Sequence, residues 1–134
     1  MAVKKAVVIG SSNKPEELQS GDSLYGIASA YASLTDGATI TIACDAQKAE
    51  QNAKVTLGGN RSLTWSSLAD GMRGTLVVVQ DGTGSRTLTV SNPGGFTNKK
   101  RGGTLTLTAA AGSYDVVSWV VVDTVIYITV GAFS

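Results

Sequence analysis

The chain is predicted to be an all-β protein, an antiparallel β-sandwich or jelly roll with an N-terminal arm. Three observations predict it. From residue 36 onward, short segments alternate apolar and hydroxyl side chains with a period of two, which places one face inward and one outward. Glycine is abundant, at 16 of 134 residues, and falls between those segments, where tight turns need it. No long stretch carries the 3.6-residue spacing of an amphipathic helix.

The first 35 residues stand outside the alternating pattern. They read as an attachment arm (1–35) ahead of a β-sandwich domain (36–134). Within the arm, Val7, Val8 and Ile9 make a short strand, since the apolar run is too brief for a secretory core of about 7–15 residues. Pro15 followed by two glutamates favours one helical turn over residues 15–18. A second helix over 24–34 would place Leu24, Ile27 and Tyr31 on one face, although Gly26 opposes it. An exposed arm this apolar is a liability, so Val7, Val8, Ile9, Leu18, Leu24, Tyr25, Ile27 and Tyr31 are expected to contact a partner. The alternative is that the arm completes the sandwich as its first strand.

In the domain, Thr39-Ile40-Thr41-Ile42, Val55-Thr56-Leu57, Leu63-Thr64-Trp65, Thr87-Leu88-Thr89-Val90 and Thr104-Leu105-Thr106-Leu107-Thr108 read as half-buried strands. Leu76-Val77-Val78-Val79 and residues 116–122 are continuous runs. They predict strands covered on both faces, in the body or against another subunit. Residues 125–130 close the set. Asp36-Gly37, Gly58-Gly59-Asn60, Asp70-Gly71, Asp81-Gly82-Thr83-Gly84 and Asp123-Thr124 supply the turns, with a hairpin at Asp123-Thr124.

Composition excludes much chemistry. There is no histidine, which removes the commonest general base, the usual hydrolase triads and most zinc sites. Cys44 is the sole cysteine, so no intrachain disulfide can form; it reads as a small buried thiol. Gly82-Thr83-Gly84-Ser85-Arg86 lacks the Gly-Lys-Ser/Thr ending of a phosphate loop and reads as a hairpin turn. Asp45, Asp70, Asp81 and Asp115 read as turn residues; no EF-hand spacing or paired-carboxylate motif accompanies them. No catalytic, metal or cofactor site is expected. The net charge is +1, so no global field draws the chain to nucleic acid, and no apolar stretch of about 18 residues suits a membrane span. Lys99, Lys100 and Arg101 form the one basic cluster. It is expected in a loop, either solvated or in contact with an acidic patch of a partner. Trp65 and Trp119 read as core, while Tyr114, Tyr127 and Phe96 are the better candidates for exposed rings.

From Asp36 onward the chain resembles a β module of tailed-phage virion proteins. The resemblance rests on Asp36-Gly37-Ala38-Thr39-Ile40, Lys54-Val55-Thr56-Leu57-Gly58-Gly59-Asn60, Gly74-Thr75-Leu76, Gln80-Asp81-Gly82-Thr83-Gly84, Arg86-Thr87-Leu88-Thr89 and Ala111-Gly112-Ser113-Tyr114-Asp115. Val90 stands where that module has a tryptophan, and residues 93–103 depart from it. The resemblance implies a non-enzymatic virion structural protein. The expected role is capsid decoration (cement) on the outside of the head, as a homotrimer bound to the major capsid protein or another virion protein, and assembled in the host cytoplasm. The alternative is a tail-fibre or head-fibre adhesin that binds a host surface glycan or protein. No nucleic-acid or membrane partner is expected.

Overall fold

A computed structural model describes residues 29–133, together with the backbone of two short strands ahead of them, β1 (Val7–Ile9) and β2 (Pro15–Glu17). The fold is mostly β, with mixed sheets. β1 and β2 pair antiparallel with each other. The helical turn expected at Pro15 is therefore a strand: the alternative extended φ/ψ region is equally open to proline. The helix expected over 24–34 falls partly outside the described residues, and Ala32–Ser33 within it is strand β3.

The body contains β4 (Thr39–Ala43), β5 (Ala53–Leu57), β6 (Arg61–Ser66), β7 (Arg73–Gln80), β8 (Leu88–Val90), β9 (Thr97–Lys100), β10 (Tyr114–Val122) and β11 (Val125–Phe133). A six-stranded sheet has the order β3-β5-β7-β10-β11-β9, and a three-stranded sheet the order β4-β6-β8. Consecutive strands from β3 to β8 alternate between the sheets. Within each sheet they run parallel. The chain therefore winds as a coil, one strand per sheet per turn. The long hairpin β10–β11 then pairs antiparallel with β7 and widens the large sheet.

This corrects the antiparallel expectation. Period-two alternation reports which side chains point inward, but not which sheet the next strand joins. The segment from Asp81 to Arg86 is accordingly not a hairpin turn; like the Gly58-Gly59-Asn60 connection, it crosses from the large sheet to the small one. At the first crossing, a Cβ on Gly58 would lie 2.9 Å from Asp36 Oδ2, and one on Gly59 2.7 Å from Arg61 Nη1. A side chain at either glycine would have to push aside the end of the Asp36 or Arg61 side chain, so the backbone wraps closely around that ion pair. Residues 104–108 form no strand. Leu105 and Leu107 still pack against the core, and Ser85 N donates to Ala109 O at 2.7 Å.

One core lies between the sheets. Ile40 and Ile42 stack beside Leu63 and Trp65 in the small sheet; Ala53, Leu76 and Val117 align in the large one. Trp65 and Trp119 meet across the layers edge to face, with centroids 5.6 Å apart. Cys44 is buried, as expected, and burial pushes its thiol up to about 11. Asp115 is not a turn residue. It lies on β10, buried, and accepts from Thr108 N and Thr108 Oγ1 at 2.9 Å each, which ties the irregular 104–108 segment to the large sheet.

Residues 29–35, the end of the expected arm, are hydrogen-bonded to the body. Leu34 N donates to Lys54 O at 2.8 Å, and Leu34 packs against the core.

At the crossing from β7 to β8, Asp81 accepts from Thr83 N and Gly84 N through Oδ1 and from Arg86 Nη2 through Oδ2 at 2.8 Å. The Arg86 guanidinium, then the backbone donors, hold its carboxyl down at about 2, against an ordinary 3.8. A carboxylate with a depressed folded pKa stabilises fully above its unfolded pKa and loses that contribution as pH falls through the folded value. Asp81→Asn is therefore expected to flatten the dependence of Tm on pH between about 4 and 2. An acid limb identical to that of the unchanged chain would contradict this assignment.

Candidate functional site: an apolar outer sheet face

The two sheets turn very different faces outward. On the small sheet, Thr39, Thr41 and Ala43 of β4 stand beside Ser62, Thr64 and Ser66 of β6, and Thr89 of β8 lies beside Ser62. That face is a hydroxyl ladder suited to water. On the large sheet, β10 turns Tyr114, Val116, Ser118, Val120 and Val122 outward. β11 adds Val125, Tyr127, Thr129, Gly131 and Phe133, held in register by nine antiparallel pairs.

Among the described residues, the large apolar side chains that are exposed are Tyr31, Tyr114, Val120, Val122, Tyr127 and Phe133. Five project from this one face. The sixth, Tyr31, lies at its border, where its hydroxyl is 2.6 Å from Thr75 Oγ1 on the same side of β7. Phe133 is 59% exposed and Val122 51%, values that water alone would not favour for residues in regular strands. The expectation that residues 116–122 are covered on both faces is thus met by the body on the inner side only.

The face has relief. Thr75, Ser118 and Thr129 are cross-strand neighbours, and their small side chains floor a trench of about 440 Å³. Val120 and Tyr127 line one side of it, and Glu50 and Arg73, 3.8 Å apart, line one end. Asn52 fixes that end: its Oδ1 accepts from Thr75 N and Oγ1, and its Nδ2 donates to Ser29 O. Beyond the trench, the Tyr114 and Phe133 rings stand opposite each other on β10 and β11. Lys54 Nζ lies 5.7 Å over the Tyr114 ring.

The residues expected to contact partners divide as follows. Val7, Val8 and Ile9 form β1. Leu18, Leu24, Tyr25 and Ile27 lie outside the described residues. Tyr31 joins the rim of the large-sheet face. The basic run is not a loop: Lys99 and Lys100 belong to β9, the edge strand parallel to β11, and Arg101 follows in a 3-10 turn. Lysine on an edge strand hinders pairing with a foreign strand, which accounts for the charge without a ligand. Phe96 packs against the core, whereas Tyr114 and Tyr127 are exposed as expected. Val120 and Val122 lie in the run 116–122 expected to be covered on both faces, whereas Phe133 lies beyond every strand expected from the sequence.

No group of three or more Asp, Glu or Cys positioned to hold a metal ion occurs among the described residues. The arrangement suits burial against another polypeptide. Comparison of the chain with family models, curated proteins and solved structures finds no match.

Proposed function

We propose that this chain is a non-enzymatic structural protein of a tailed-phage particle, a capsid decoration protein on the outside of the head. In this reading its two-layer body is a compact β-sandwich wound as a coil. Copies assemble, three to a unit, on the major capsid protein or another virion protein. The observation that carries the reading is the division between the outer faces: hydroxyls on the small sheet, exposed aliphatic and aromatic side chains on the large one. Burying such a face against protein gains roughly 25 cal/mol per Å² of apolar surface. Repetition on a lattice multiplies individually modest contacts through effective concentration. The sequence resemblance from Asp36 onward supplies the phage context.

Purified chain added to heads assembled without it is expected to bind their outer surface, and immunogold label is expected on the heads of intact particles. Label confined to the tail, with the purified chain binding host cells and not heads, would overturn this reading in favour of the adhesin.

A further inference from the structure

We infer that the polypeptide covering the outer face of the large sheet is an acidic one, which sets carboxylates on either side of an apolar contact. The inference rests on the docking reading above and names the chemistry of the partner. The charges on the face carry it.

Every charged side chain that the strands of the large sheet turn outward is a cation: Lys54 of β5, Arg73 of β7 and Lys99 of β9. The one acidic residue in those strands, Asp115, is buried on the inner side. Register sets two of the cations around the apolar centre. Arg73, Val120, Tyr127 and Lys99 are successive cross-strand neighbours, so the Val120–Tyr127 pair lies between a guanidinium and an ammonium, about 14 Å apart across three strand spacings. The chain itself leaves these cations poorly neutralised. Arg61 and Arg86 close on Asp36 and Asp81 at 2.8 Å. Arg73 Nε, in contrast, stands 3.8 Å from Glu50 Oε1, too far for a hydrogen bond, and its side chain is 65% exposed. Among the described residues no carboxylate pairs with Lys54 or Lys99, and Lys54 rests its ammonium over the Tyr114 ring. Edge protection puts a lysine on β9 but gives it no counter-charge. An apolar centre rimmed by cations takes a partner with an apolar anchor and carboxylates around it. A second copy presenting the same face would bring like charges together.

Binding of the purified chain to heads assembled without it, measured as salt rises, tests the inference. The affinity of the parent is expected to fall about 10-fold or more between about 50 and 500 mM salt. The double variant Arg73→Glu/Lys99→Glu is expected to bind heads at least about 100-fold more weakly. Lys48→Glu/Lys100→Glu makes the same change in net charge away from this face and is expected to bind like the parent: Lys48 lines a recess beside Ile42 and Ala43, and Lys100 stands beside Ile128 on the inner side of β9. None of the four residues belongs to the core, so circular dichroism of both variants is expected to match that of the parent. Binding indifferent to salt, or equal for the parent and Arg73→Glu/Lys99→Glu, would overturn the inference while leaving the decoration role standing. Equal loss in the two double variants would overturn it as well, because net charge alone would then decide. Self-association of the parent in solution that is lost in Arg73→Glu/Lys99→Glu would seat a second copy on the face instead. A parent that does not bind heads would overturn both the inference and the decoration role.

Discussion

Gly74→Ala is expected to be the most damaging single-methyl change in the body. Gly74 lies on β7 directly opposite Trp119 of β10. A Cβ there would fall 1.9 Å from Gln51 O, 2.6 Å from Gln51 C and 3.0 Å from Trp119 Cζ2. Two of those atoms are backbone and cannot rotate away. The loop carrying them is held in place by Gln51 N donating to Arg73 O at 2.9 Å. The Gln51 side chain adds bonds to both Asp45 N and Asp45 O at 2.8 Å. Relief requires this loop to lift off the sheet, so the expected cost is about 4 kcal/mol or more, in the range reserved for severe core disruption. For a domain of this size that lowers Tm by about 15 °C or more. Gly82→Ala is the control: no atom lies within 4 Å of its Cβ position, and its φ is not in the left-handed region. Thermal unfolding that ranks the two variants equally would refute the packing described at β7.

Trp119→Ala is expected to cost about 3–5 kcal/mol, as for other large-to-small changes at buried aromatic sites. Trp119 is 3% exposed and packs edge to face on Trp65, which joins the two layers. The informative comparison is Trp119→Phe. Among the described residues, neither Trp65 Nε1 nor Trp119 Nε1 has a hydrogen-bond partner. Phenylalanine therefore loses volume without breaking a hydrogen bond, and removes an unpaired buried donor. Its expected cost is on the order of 1–2 kcal/mol. Denaturant unfolding of both variants checks the pair. A phenylalanine variant as unstable as the alanine one would mean that the indole nitrogen has a polar role in the core.

The sequence reading succeeded where side-chain period alone decides the answer. Thr39-Ile40-Thr41-Ile42 must place its isoleucines inward to be buried, and does. Val122 and Val125 flank a two-residue turn at Asp123-Thr124, where Asp123 takes a φ of 55°, and the predicted hairpin is β10–β11. The coil was not legible, because a short glycine turn can fold back within one sheet or cross to the other. At Gly58-Gly59-Asn60 the crossing sets β6 against β4, and the Asp36–Arg61 pair that spans it joins residues 25 apart in sequence. The demand on Gly74 was hidden likewise, since the carbonyl that forbids a side chain belongs to Gln51. The docking face was half visible. The run at 116–122 announced two apolar faces, but only the register with β7 and β11 gathers Val120, Tyr127 and Phe133 onto one surface.

Oxidative footprinting of the intact particle probes the core idea of this account, that the aromatic side of the large sheet is turned toward protein. Hydroxyl-radical labelling of Tyr114, Tyr127 and Phe133 is expected to be strongly suppressed in the assembled particle relative to the purified chain free in solution. Equal labelling of Tyr114 and Phe133 in both states would show that this face looks into solvent, and the account would fail.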